Sequence, residues 1–480
     1  MNSSDTNVRP TRIRYTILAL LSTLAMITYL DRAVNGSAKK DMMEAVGRGE
    51  KDFYFVLIFF QLAYAMFEIP SGWMGDTYGP RKTLIRIVIW WSAFIGLTAF
   101  AGYTLPGTET VLITFGVLIA LQFFFGMGEA GAFPNISRAL YNWFPTTERG
   151  FAQGSVWLSA RFMGGMTPFV WVCLTAGLGL NWRETLWVFS GVAMAWVAVF
   201  IWWFRDRPDQ HSSTNAAERE LILAGKVPPT GHAGIPWGRI FTNRNVWALC
   251  AMYMVTNFNW YFIMYNLPGQ FRDSFPQLRE SLGGQMLLGL LAGAPLLVGM
   301  LGCLGGGMLT DALIRKTGNR KWGRRTFAMI GYGMAGAFYL LATQFIGNLW
   351  PFAICLILVG LSNDFMMAPS WATAQDIGRR YSAIVSGAMN MVGNLGATLG
   401  IFITSLILNA NTVNKVVDGV PVLKANGDPD TTILPQGYIY CFELYSGIYL
   451  LGVIAWLFID ASKPIPTDEE LGISNHDHSA

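Results

Sequence analysis

Twelve long apolar runs, six on either side of one polar stretch, constrain this 480-residue chain more than any other feature. They fall at about 15–36, 53–75, 83–103, 110–141, 151–178 and 186–204, then at about 245–271, 284–309, 327–346, 349–375, 383–409 and 438–459. A helix needs about 20 apolar residues to cross a bilayer core ~30 Å thick. Twelve such helices would use half the chain, and 52% of its residues are hydrophobic. Alternating strands would not give uninterrupted runs of this length, so an outer-membrane barrel is excluded. Only 13% of residues are charged, against about 25% in an ordinary soluble domain, which excludes soluble enzymes of ordinary composition and disordered chains. The expectation is an all-α membrane protein with twelve transmembrane helices in two pseudo-symmetric six-helix bundles. The N-terminal bundle spans 1–204, a cytoplasmic linker 205–244, the C-terminal bundle 245–459 and a cytoplasmic tail 460–480.

Arg9, Arg12 and Arg14 precede the first run, which meets Asp31-Arg32 without a small-residue cleavage site, so it reads as an uncleaved first span. Lysines and arginines set the orientation. With the N-terminus inside, 23 of the 34 fall on the inner side and 9 on the outer. Both termini and the linker are therefore expected in the cytoplasm, with the chain in a cell inner (plasma) membrane. Five cysteines lie in apolar stretches without a CxxC pair, and the four histidines all sit in polar segments. Neither a metal site nor a disulfide framework is expected. No GxxxxGK[ST] string is present, so no nucleotide or other cofactor is expected, and the net charge of +4 does not point to nucleic acid.

The halves repeat each other. Gly72-Trp-Met-Gly-Asp76 with Gly79-Pro-Arg81-Lys82 follows the second run, and Gly307-Met-Leu-Thr-Asp311 with Gly323-Arg324-Arg325 follows the eighth. Matching glycine, aspartate and basic positions imply duplicated bundles, an arrangement that in transporters places the substrate between the repeats near the midplane.

These loops, the 6+6 layout and the linker resemble the major facilitator superfamily. Several strings are more specific: Tyr29-Leu-Asp31-Arg32, Tyr64 through Trp73, Gly126-Met-Gly-Glu129 through Asn135, Asn215-Ala-Ala-Glu218-Arg219, Pro369-Ser-Trp371, and Asn390 through Asn394. Together they are similar to the anion:cation symporter family, whose bacterial members take up sugar acids and other organic anions with protons. The resemblance implies that Asp31 and Glu129 carry protons, and that Tyr29, Arg32, Tyr64, Trp371 and Asn390 contact the anion.

The residues themselves support candidates of the same kind. Charge at bilayer depth is costly, so each intramembrane charge is a functional candidate. Asp31 and Arg32 are neighbours about 100° apart on a helix, so each should meet its own partner across the cavity. Glu129 is flanked by Gly126, Gly128, Ala130 and Gly131, where helices approach closely and a carboxyl is poorly solvated. Desolvation favours the neutral form, which suits a proton carrier. Many relatives carry an arginine seven residues before this glutamate; here that position is Gln122, while the fifth run holds an unusual Arg161. Arg161 reads as a second cation for the anion, or as the static partner of Glu129 or Asp31. Gln61 and Asn394 share helix faces with Tyr64 and Asn390. Asn257, Asn259, Tyr261 and Tyr265 form a polar–aromatic cluster of undetermined facing, and Asp364 stands in the repeat position of Glu129. Asp76, Arg81, Glu148, Arg149, Asp311, Arg324 and Arg325, together with Glu68, are expected near the cytoplasmic ends as an inner gate of ion pairs.

The sequence thus points to a monomeric, non-enzymatic secondary transporter. It would couple uptake of a small organic anion, a hexuronate or aldonate above others, to protons across the lipid bilayer. A uniporter or efflux carrier for another carboxylate or amphiphilic compound stays open, as does a non-transporting receptor. The outer loop from Asn409 to Gln436 has no function assignable from sequence.

Overall fold

The computed structural model describes residues 9–48, 53–105, 107, 111–224, 235–414, 416–417, 420–421 and 431–466. Its membrane-length helices in the first half are α1 (Ile13–Ser37), α2 (Phe53–Tyr78), α3 (Pro80–Thr98), α4, α5 (Arg149–Val172) and α6 (Trp182–Trp203). The second half supplies α7 (Arg244–Tyr261), α8 (Leu282–Thr317), α9 (Arg320–Thr343), α10, α11 (Ser382–Ala410) and α12 (Pro435–Phe458). Two of them are broken. Helix α4 consists of α4a (Phe115–Glu129) and α4b (Ala132–Trp143), and α10 consists of α10a (Leu349–Phe365) and α10b (Met367–Gly378). Among the described residues, eight stretches are long and apolar enough to cross a membrane, one of them running through both α10 and α11. This is consistent with twelve spans: α3, α5 and α7 are diluted by basic or polar residues that the packing below puts to use.

The packing repeats with the sequence. Helix α1 lies on α5 as α7 lies on α11, α2 on α4a as α8 on α10a, and α3 on α6 as α9 on α12. The halves meet through α2 against α11 and α5 against α8, the same pair of positions exchanged. Glycine permits the closest approaches. A Cβ on Gly72 of α2 would stand 2.5 Å from the Ala383 carbonyl of the other half, and one on Gly154 of α5 would stand 2.5 Å from that of Cys303. Gly131, between α4a and α4b, adopts φ +83°, a left-handed conformation that glycine adopts without a Cβ penalty.

The linker is partly joined to the first half. Asn215 caps the short helix Ala216–Leu223 by accepting the Glu218 N–H, and the buried Glu218 carboxylate in turn accepts the N–H groups of Ile13 and Arg14 at the start of α1. Such a carboxylate answers both the unsatisfied amides and the dipole of a helix start. Between α11 and α12, Thr412–Asn414 pairs antiparallel with Thr431–Ile433, and Val416–Val417 with Val420–Pro421.

Candidate functional site

The backbone decides the direction of each site residue. On α1, Arg32 faces the interface between the halves, whereas Asp31 is buried beside Trp91 of α3, inside the first half. Neither Asp31 oxygen has a partner at hydrogen-bonding geometry among the described residues. Its charge would repel that of Glu129, which is close enough to be felt. Glu129 ends α4a and receives Arg32 Nε on its Oε1 at 2.5 Å, leaving Arg32 NH2 and Glu129 Oε2 buried without partners. The Arg32 guanidinium also lies 4.5 Å from the Tyr64 ring centroid, a cation–π contact. Gln122 turns away and donates to Thr98 of α3, so the position that carries arginine in many relatives does not face this pair.

Arg161 meets neither Glu129 nor Asp31. Its Nε and NH2 donate to the two oxygens of Asp364, at 3.0 and 3.1 Å, and its NH1 donates to the Tyr29 hydroxyl at 2.7 Å. The guanidinium lies 3.8 Å from the Trp260 ring centroid. Sequence reasoning had weighed Glu129 and Asp31 as partners and left Asp364 unassigned. The partner is Asp364 because α5 packs on α8, and α8 in turn carries α10a against it.

Both arginines wall one narrow cavity of about 60 Å³ between the halves, together with Tyr29, Tyr64, Trp157, Asn257, Trp260, Asn390 and Asn394. Two of its amides, Asn390 and Asn394, are already joined across the halves. Gln61 donates to Asn394 at 3.0 Å, and Asn390 donates to Glu68 at 2.5 Å. Glu68, grouped with the inner gate in the sequence reading, is instead buried ten residues before the end of α2, roughly 15 Å along the helix. Trp371 does not line the cavity; it is buried behind it, donating to the Tyr253 hydroxyl and packing on Trp157. Asn259 is buried outside the wall, and the side chains of Tyr261 and Tyr265 lie outside the described residues. A larger cleft of about 400 Å³ opens beside Arg244, Arg325 and Asp460, but it lies within the second half, where alternating access has no use for it.

Below the cavity the halves are fastened twice, in mirrored fashion. Asp76 at the end of α2 accepts the N–H groups of Ala383 and Ile384 at the start of α11, at 3.2 and 2.8 Å. Asp311 of α8 accepts those of Gly150 and Phe151 at the start of α5, at 3.1 and 2.7 Å. Each half therefore caps the fifth helix of the other. Asp376 reinforces the second fastening by accepting from Arg149 at 2.5 Å and Arg324 at 3.1 Å, and Arg324 also reaches Asp311 at 3.0 Å. Arg138 strengthens the first through Asp76 at 3.4 Å and the Arg379 carbonyl at 2.9 Å.

Three expected gate residues are used within one half. Arg81 is held by Asp206, which accepts its N–H at 2.7 Å, and donates to the Ile201 carbonyl. Glu148 takes Arg14 at 3.0 Å. Arg325 donates to the Leu457 and Ile459 carbonyls at the end of α12. Arg138 and Asp376 were missed as gate residues. Arg138 lies near the end of the fourth apolar run and Asp376 just past the tenth, and their charge at a helix end was the available signal. Outside the spans, burial pushes the Asp206 carboxyl above the usual carboxylate range despite the Arg81 N–H, and burial beside Arg205 pushes the His211 imidazole down.

Two mirrored bundles, a polar cavity between them and reciprocal helix caps closing one end define a membrane transporter of the alternating-access kind. The chain belongs to the Major Facilitator Superfamily, whose model matches residues 21–401. It is 31% identical, over 97% of its length and 98% of the other's, to a protein of Cupriavidus necator described as a probable sulfoacetate transporter. It is 26% identical, over 80% of its length and 85% of the other's, to a probable galactarate/D-glucarate transporter of Escherichia coli. Among solved structures, the human organic anion transporter MFSD10 shares its fold, with a TM-score of 0.61 at 11% identity over 93% of this chain and all of that one.

Proposed function

We propose that this transporter imports a small organic anion together with protons. The observation that carries the reading is the pair of Arg32, on the cavity wall, with Glu129 behind it: a guanidinium with one nitrogen still unpartnered, joined to a carboxylate with one oxygen still unpartnered. An entering acid group can take over Arg32, since arginine binds carboxylate or sulfonate through a planar fork. Glu129, losing its cation, is then left buried, and a buried carboxylate without a partner is supported best by a proton. Anion entry and proton uptake are thereby tied to one exchange. Asp31, buried nearby without a hydrogen-bonding partner, is the second proton site. The names of the relatives support an acid as cargo, and the cavity amides and phenols suit a hydroxylated sugar acid. The narrowness of the cavity and the sulfoacetate relative favour a second cargo reading, a short acid with an anionic group at each end.

The test is uptake into proteoliposomes of radiolabelled D-glucarate and sulfoacetate, with and without an imposed inward proton gradient. Accumulation above the outside concentration is expected only with the gradient, and Glu129→Gln is expected to exchange anion without accumulating it. Accumulation by Glu129→Gln, or by wild type without a gradient, refutes the coupling.

A further inference from the structure

Asp364 has no part in the exchange just described, yet it holds Arg161 in the geometry an acid substrate would adopt. Both carboxylate oxygens face the guanidinium fork, and the remaining nitrogen is turned to Tyr29. The two partners belong to different halves, Arg161 to α5 and Asp364 to α10a, whereas Arg32 and Glu129 both belong to the first half. Arg161 stands on the cavity wall; Asp364 stands behind it. Asp364 is also the less mobile partner. A Cβ on Gly299 would stand 2.6 Å from its Oδ2, so α8 packs directly on the carboxylate, and Asn363 donates to its Oδ1 at 3.3 Å. The arginine, on a long flexible stem with its guanidinium at the cavity, is the partner able to turn.

We propose that Asp364 is a built-in competitor for the acid group of the transported anion: with the cavity empty it latches α5 to α10a through Arg161, and an arriving anion displaces it and releases the halves. This rests on the reading of the cavity as an organic-anion site. Parting the halves without a replacement acid would leave a guanidinium and a carboxylate buried and unpaired, a state that proteins avoid. An anion carrying a carboxylate or sulfonate supplies an equivalent acceptor for Arg161, while a neutral polyol of the same size does not. The latch therefore selects for acidity and makes movement conditional on cargo. When the anion leaves, Asp364 recovers Arg161 and the empty carrier regains a neutral interface.

Two measurements on the purified full-length protein test this. The first is binding of sulfoacetate and D-glucarate by calorimetry. Removal of the competitor in Asp364→Asn is expected to tighten binding at least 10-fold, Asp364→Glu to remain near wild type, and Arg161→Gln to abolish binding with or without Asp364→Asn. The second needs no anion. Cys303 of α8 is buried where that helix packs on Gly154 of α5, so its alkylation rate, followed by peptide mass spectrometry, reports separation of the halves. Because Asp364 also lies beside the Cys303 thiol, the informative variant is Arg161→Gln, which breaks the latch and keeps that carboxylate; it is expected to raise the rate several-fold without ligand. Size-exclusion profiles and helical circular dichroism establish that each variant is folded. Unchanged alkylation of Cys303 in folded Arg161→Gln overturns the latch, as does wild-type binding that Asp364→Asn leaves equal or weaker. If wild type binds neither acid while Arg161→Gln still frees Cys303, the latch stands and the organic-anion reading falls.

Discussion

Replacing Asp311 and Asp76 by asparagine, singly and together, measures how firmly the reciprocal caps hold their end of the carrier closed. Each carboxylate accepts two backbone N–H groups from the start of a helix in the other half. An asparagine keeps one acceptor oxygen and loses the charge. The charge–dipole attraction at a partly buried helix terminus is worth up to ~2 kcal/mol, and one hydrogen bond about 1 kcal/mol net. Water restores part of both once the halves part, so about 2 kcal/mol per site remains, roughly 30-fold in the open–closed equilibrium. The two caps share no residue and lie on different helix pairs, so their effects should add to ~4 kcal/mol, approaching 10³-fold.

The reporter is Ser386→Cys, at a fully buried position of α11 whose native hydroxyl meets that of Ser137 across the halves at 3.2 Å. In inside-out vesicles, its labelling by a membrane-impermeant maleimide tracks the open population when opening is fast relative to labelling. About 30-fold faster labelling is expected in each single variant, and a multiplied increase in the double, up to the rate of a fully open carrier. Arg81→Ala serves as the control and should leave the rate unchanged, since Arg81 is bound within the first half. Wild-type labelling in a folded Asp311→Asn carrier, or a double variant no faster than the singles, refutes the independent-cap argument.

Two further outcomes follow from the same geometry. A Ser137→Cys/Ser386→Cys pair should form a disulfide on mild oxidation and stop transport, with recovery on reduction; oxidation that leaves uptake intact would show that this contact need not part. His211, packed edge-on against Trp143 and Trp203, resists protonation when folded while the unfolded chain takes up the proton. Its lowered pKa therefore costs stability as pH falls below about 6.5, and His211→Gln should flatten the loss of melting temperature between pH 7 and pH 5.

The architecture was legible in the chain because hydropathy reports directly on the solvent around a helix, and because duplication left the same Gly-x-x-x-Asp string in both halves. What the string did not reveal was how each basic pair is used. Arg81 and Arg324 occupy matching places, yet only Arg324 enters the interface. In the first half Pro80 begins α3 at once, and Asp206 claims the Arg81 N–H. In the second, α8 runs on to Thr317 and α9 begins at Arg320, which sets Arg324 one helical turn inside, facing Asp311 and Asp376. Where the helices end and begin decided the matter, and the matching string does not encode it. The partner of Arg161 was hidden for another reason: Asp364 lies 203 positions away, in the other half, and only the crossing of α5, α8 and α10a brings them together.

That crossing breaks the two-fold symmetry where it matters most. Glu129 closes α4a and Asp364 nearly closes α10a, so the two carboxyls occupy equivalent ends of equivalent broken helices. Glu129 nevertheless takes an arginine from its own half and Asp364 takes one from the opposite half. On the proposed reading, a proton arriving at Glu129 releases Arg32 from a partner in its own half, whereas release of Arg161 frees a contact between the bundles without moving a proton. Under the proposed mechanism, one anion with two acid groups, or one acid group visiting both cations in turn, links the two events. The asymmetry then separates the chemistry of coupling from the mechanics of opening, and a symmetric pair of internal ion pairs would leave the halves with nothing for cargo to unlock.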